Sequence, residues 1–193
     1  MHYERLFIAA AEIPTAISPA FQHLLDTYAS ETNKTAAMWA ELGDAQLGFR
    51  PHPKSTTLRE LLVHQLLSER RFFAEFIGLA EPPAAEVLPP GESPAVTAYV
   101  DRLVGLARPR LAALAPRDER FWLEPVPFFD VTRERIWVFW RRVLHSAHHR
   151  AQAGFCLRLL GARVPSTYGP TADVSWSGAD PTRTVAAAER PGQ

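Results

Sequence analysis

Leu144-His145-Ser146-Ala147-His148-His149-Arg150-Ala151-Gln152 lies in an apolar, tryptophan-rich segment with no proline between Val131 and Val164. Apolar residues at helical spacing along that run predict a helix from about Thr132 to Leu160, the longest in the chain, with Gly161 just past its end. At about 3.6 residues per turn, His145 and His149 fall one above the other on the same face. Two neutral imidazoles so placed can bind one divalent ion such as zinc or nickel. The pair lacks the glutamate of a zincin motif, and it is equally well read as chance among seven histidines or as hydrogen-bonded core residues.

Working outward, three more amphipathic segments emerge. Ser18-Pro19 reads as a cap followed by proline at the first helical position, opening a helix that runs to about Leu42 before Gly43 stops it. Thr57-Leu58-Arg59-Glu60 fits a capping box and starts a second helix that continues to Gly78. Ser93-Pro94 repeats the cap signal for a third, from about Pro94 to Leu114, in which Pro109 should bend the helix or end its regular part. Ala80 to Pro90 reads as a surface linker, and the proline-broken aromatic stretch Phe121 to Phe129 as an irregular segment packed across the helices. No alternating strand and no internal repeat is visible. The expected fold is all-α, a helical bundle of four long helices. Residues 1–173 are expected to form one domain and 174–193 a flexible C-terminal tail.

Two ligands do not make a metal site, so a third is sought on a facing helix. His64 is the only other histidine within a predicted apolar helix face, whereas His2, His23 and His52 fall in a terminus, a polar part of the first helix and a proline-flanked loop. Taken alone, His64 is more simply a satisfied core histidine. Together with His145 and His149 it completes a candidate three-histidine set. His148 points about 100° away around the helix and is expected to pack or to support the ligands. Gln152 returns to the same stripe as His145 and His149 and is the candidate catalytic residue, placed to orient a water or substrate; capping of a core polar group is the competing reading. Cys156 reads as a small buried hydrophobe. Glu60 is assigned to its capping box and Glu69 to the surface or a salt bridge, so no carboxylate reads as catalytic.

Composition bounds the rest. The 193 residues carry a formal net charge of zero, which gives no electrostatic support for nucleic-acid or anionic-membrane partners. No apolar run approaches the ~20 residues of a membrane span. The apolar segment at Leu6 to Ala11 is too short for a signal peptide, and a cytoplasmic location is expected. The single cysteine rules out an internal disulfide and a cysteine-based zinc cage.

The segment His145-Ser146-Ala147-His148-His149-Arg150-Ala151-Gln152, followed by Leu159-Leu160-Gly161, together with Leu61-Leu62-Val63-His64, resembles the DinB-like, or YfiT-like, family of metalloenzymes. Ala151 stands where the family usually has glycine. The resemblance plausibly extends from about Ser18 to Asp173. It implies a four-helix bundle with a long crossover connection and a divalent metal, often nickel or zinc, held by His64, His145 and His149. It also implies a homodimer, with which the aromatic residues Trp137 and Trp140 are compatible. Characterised relatives include thiol S-transferases that use bacillithiol or mycothiol and a mycothiol-dependent maleylpyruvate isomerase. The function it implies is therefore metal-dependent transfer of a low-molecular-weight thiol to a small electrophile. A metal-dependent hydrolase and a non-catalytic, stress-related metal-binding protein stand as alternatives.

Overall fold

Thr57 closes the capping box read from the sequence. Its hydroxyl accepts from the Glu60 amide (3.1 Å), and the Glu60 carboxylate accepts from the Thr57 amide (2.6 Å). The helix that starts there, α2, spans Leu58–Phe72 and continues through a π-helical turn, Phe73–Ile77, to Gly78 in the left-handed region (φ 77°). The structure is a computed structural model and describes residues 6–169 and 171–174. The other helices are α1 (Gln22–Ala40), α3 (Ala84–Val87), α4 (Val96–Leu114), α5 (Glu119–Leu123) and α6 (Arg135–Leu159).

The four long helices, α1, α2, α4 and α6, form the bundle. Helix α1 packs on α4 and α6, and α2 packs on the same two. Consecutive helices α1 and α2 therefore occupy opposite corners, and the connection 41–57 crosses between them. Gly161 ends α6 as expected, with φ 66°. Its amide donates to Arg158 and that of Ala162 to Leu157, a Schellman closure of the last turn.

Several local expectations change. Neither Ser18 nor Ser93 caps a helix; a 3-10 turn, Pro19–Phe21, leads into α1, and the free amide of Val96 at the start of α4 is taken by Asp44 Oδ1 (2.7 Å) from the α1–α2 connection. Helix α4 runs through Pro109. Pro109 and Gly105, whose carbonyl loses its partner, are both exposed, so water serves that carbonyl. The stretch read as irregular contains α5 and an antiparallel hairpin, β1 (Pro125–Phe128) with β2 (Val131–Glu134), Pro125 lying opposite Glu134. Val126 and Phe128 turn inward while Pro125 and Pro127 face solvent. Four residues with two prolines carry too little alternation to be read as a strand.

Glu69 is buried, not on the surface. Its Oε1 accepts from Tyr28 of α1 (2.7 Å) and Arg110 of α4 (2.9 Å), and its Oε2 from Arg142 (3.3 Å) and Ser146 (3.1 Å) of α6. Arg110 also grips Glu81 with two bonds of 2.6 Å. A second buried set joins α1 to α6 and the C-terminal segment: Glu31 accepts from Lys34 (2.7 Å), Arg150 (2.7 Å) and Tyr168 (2.6 Å). Tyr168 thereby docks beside α1 and lines neither cleft described below. Of the expected tail 174–193, only Val174 is described, and it is buried; 175–193 lie outside the described residues. Trp137 is exposed, and Trp140 is partly buried and stacks on His23. No helix among the described residues is long and apolar enough to cross a membrane.

Burial alone would raise the Glu69 and Glu31 carboxyls, but Arg142 and Arg110 at one, and Arg150 and Lys34 at the other, hold both below the ordinary value of 4.5. A carboxylate depressed in the folded state stabilises above its unfolded pKa, and that contribution is lost as pH falls through the folded value. Urea unfolding should therefore show stability falling as pH drops below about 4.5. Glu69→Gln should lower stability at pH 7 by about 3–5 kcal/mol, because buried Arg142 loses its carboxylate partner while Arg110 keeps only Glu81, and should flatten that acid limb.

Candidate metal centre

The 100° step of a helix decides which side chains of α2 and α6 meet. On α2 the buried stripe is Leu58, Leu61, Leu62, Gln65, Leu66 and Glu69. His64 falls just off it, at the edge facing α6. It is exposed, contrary to its placement within the apolar face. On α6, Arg142, Ser146, Arg150 and Ala153 form the buried stripe, and His145 and His149 flank it on the side of α2, half-buried.

The three imidazoles converge. Ring centroids lie 4.5 Å apart for His145 and His149, 4.7 Å for His64 and His149, and 5.4 Å for His64 and His145. One nitrogen from each lies within 4.8 Å of the other two. A tetrahedral ion with bonds of about 2.0–2.1 Å holds its ligand nitrogens about 3.4 Å apart, so small side-chain rotations bring this set to bonding distance. Burial, and then the neighbouring Arg142, lowers the pKa of His64 and of His145, the latter to about 3; burial foremost lowers that of His149. All three are neutral near pH 7, the form in which imidazole donates to a metal.

Hydrogen bonds assign the tautomers of the pair. Arg142 Nη1 donates to His145 Nδ1 (3.0 Å), so the proton of His145 sits on Nε2 and points at His149 Nε2 (3.2 Å). His149 Nδ1 donates in turn to Gln152 Oε1 (2.8 Å), and the Gln152 amide donates to His148 Nε2 (3.1 Å). His149 thus presents an unprotonated Nε2 to the cluster. For His145 to do the same, its proton must move to Nδ1, and Arg142 must turn wholly to Ser68, Ser146 and Glu69, all of which it already meets. With that one exchange, the residues present fit a divalent ion.

Residues 27–153 match the model of the DinB superfamily, a span that takes in α2 with His64 and α6 as far as His149 and Gln152. The chain belongs to the DinB superfamily. Its fold is similar to that of a DinB-like protein from Bacillus cereus (TM-score 0.66, 21% identity, 75% of this chain and 95% of that one). It is likewise similar to a DinB-like protein from Bacillus subtilis (TM-score 0.59, 15% identity, 75% and 96%). At these identities the likeness is one of fold. No curated protein matches the chain in sequence.

In this DinB-superfamily chain two clefts lie near the cluster, one walled in part by His148 and Gln152 and the other by His64 and His145. The larger, about 900 Å³, lies between α6 and the connection preceding α2, with His52, Thr56, Leu61, His148, Gln152 and Cys156 on its walls. The smaller, about 660 Å³, has His64, His145, Arg71, Arg141 and four phenylalanines. Cys156 is buried apart from its edge on the larger cleft, and burial pushes its thiol up. Sequence reading missed Arg142, although it stands three residues before His145, where a helix brings side chains together. Its tie to Glu69 on α2 left no signal.

Gln152 contacts His149 directly and works in the structure as the acceptor that fixes the His149 tautomer. Loss of such a partner typically weakens a metal site about 10–100-fold. Gln152→Leu should weaken zinc binding by that factor in a competition titration against a chromophoric indicator, whereas Gln152→Glu, which still accepts from Nδ1, should stay close to wild type.

Proposed function

We propose that this protein is a divalent-metal-dependent enzyme in which His64, His145 and His149 hold a nickel or zinc ion and a low-molecular-weight thiol is transferred to a small electrophile. The observation that carries the reading is the convergence of three neutral imidazoles from two helices, two of which, His64 and His145, line an open cleft. A divalent ion held there would lower the pKa of a bound thiol and favour the nucleophilic thiolate. The protein's own residues supply the rest. Gln152 orients His149, the polar side chains on the wall of the larger cleft (His52, Ser55, Thr56, Thr57, His148) suit a polar thiol, and the aromatic cleft suits the electrophile.

Two features favour this reading over its alternatives. Among the described residues neither cleft is lined by a carboxylate, the usual general base of a hydrolytic reaction. A structural zinc site closes its sphere with four protein ligands, whereas three histidines beside open clefts leave room for a ligand from solution.

Metal analysis after loading with nickel or zinc should find about one ion per chain, and a His64→Ala/His149→Ala double variant should hold none. Absence of stoichiometric binding by the wild type under every loading condition would remove the basis of the proposal. With metal-loaded protein and 1-chloro-2,4-dinitrobenzene as electrophile, product should form only when mycothiol, bacillithiol or a comparable small thiol is present. Turnover without thiol would instead favour hydrolysis.

A further inference from the structure

Three irregular features meet at the smaller cleft. Phe129, at the tip of the β1–β2 hairpin, is the one non-glycine residue with positive φ among the described residues (53°), and its side chain is 65% exposed. Left-handed backbone costs an ordinary side chain about 1–2 kcal/mol, and exposing a phenylalanine adds to that cost. The hairpin nevertheless holds this ring out over the cleft, 4.8 Å from Phe128 and 5.2 Å from Phe76 by centroids. Phe76 itself is carried by the π-helical turn Phe73–Ile77, a rare distortion that recurs at functional sites. Strain and exposed aromatic surface thus build one open aromatic wall, backed by Phe72, which packs on Phe76 (5.2 Å) and Phe128 (5.7 Å).

The third feature is charge. Arg141 stands one helical turn before His145, lines the same cleft and is exposed, and it makes no hydrogen bond or ion pair with any described residue. Arg71, also on the cleft, is held by Glu75 (2.7 Å). Among the described residues, no acidic side chain lines the cleft. A planar guanidinium presents paired N–H donors that match a carboxylate in two-point geometry.

We infer that the smaller cleft is a subsite for a small aromatic carboxylate, its ring against Phe76, Phe128 and Phe129 and its carboxylate on Arg141, beside His64 and His145. The inference deepens the proposed function by naming a substrate class, and rests on that reading for the reaction. The binding itself needs only Arg141 and the three phenylalanines, none of which belongs to the proposed ligand set.

The test is ligand binding by NMR titration to the full chain, metal-free and zinc-loaded, with phenylacetate, its neutral isostere phenylacetamide, and acetate. Phenylacetate should bind at least about ten-fold more tightly than either of the others, the effect of one charge-assisted contact. Arg141→Gln, at an exposed position, should abolish the preference for phenylacetate over phenylacetamide, while Phe129→Ala should weaken both alike. Equal binding of the two aromatic probes, no binding of phenylacetate to either form, or a preference that survives Arg141→Gln would overturn the inference. If the wild type binds neither zinc nor nickel yet keeps the preference, the proposed function falls and the subsite stands; metal binding without the preference gives the reverse.

Discussion

One buried carboxylate ties the bundle together. Glu69, on α2, accepts hydrogen bonds from Tyr28 of α1, Arg110 of α4, and Arg142 and Ser146 of α6, so every long helix sends a polar group to the same pair of oxygens. Glu81 supplies the second negative charge against the two guanidiniums. Desolvating these charges costs several kcal/mol each, and only near-complete pairing offsets it. Apolar packing around Trp39, Trp122 and Phe139 tolerates small rotations of a helix. A shared carboxylate with four donors tolerates far less. It fixes how α2 and α6 are turned toward each other.

The histidine centre inherits that alignment. Arg142 reaches from Glu69 to His145, His145 to His149, His149 to Gln152, and Gln152 to His148. This directional chain begins in the core and ends at the wall of the larger cleft, and each link sets the tautomer of the next imidazole. His64 joins from α2 because the same alignment carries its turn of helix to the flank of α6. The cluster is therefore assembled by the helices and not by loops, which gives it a rigid frame beside the aromatic cleft, where Arg141 has no partner among the described residues.

The fold was legible in the sequence wherever the signal was local. The Thr57–Glu60 capping box, the glycine stops at Gly78 and Gly161, and the proline-free run of α6 all act through residues within a turn of one another, and the structure has them where they were read, whereas α1 ends at Ala40, before the expected stop at Gly43. Ser18 holds the cap position of a 3-10 turn with Pro19 next to it but its hydroxyl makes no capping bond, and the cap expected at Ser93 does not form, because the free amide at the start of α4 finds Asp44 from a different connection. The hairpin at Pro125 to Glu134 escaped notice because its two short strands stabilise each other only when packed on Phe72, Phe76 and Trp137. Glu69 read as a surface or salt-bridge residue, and it does pair with Arg110 and Arg142; its burial left no local signal, because an acidic side chain on a polar-looking turn is buried only if partners from three other helices arrive.

By itself, the sequence determined that the chain is helical, where its long helices run, and that His145 and His149 share a face, because helical periodicity and capping are local properties of the chain. Tertiary structure decided the rest. That His64 meets the pair from an exposed edge, that Arg142 and Gln152 set the tautomers of the imidazoles, and that an open aromatic cleft with Arg141 lies alongside all depend on the rotation and pairing of helices far apart in sequence. A spacing rule carries no information on those, since buried charge pairing between α1, α2, α4 and α6 fixes them.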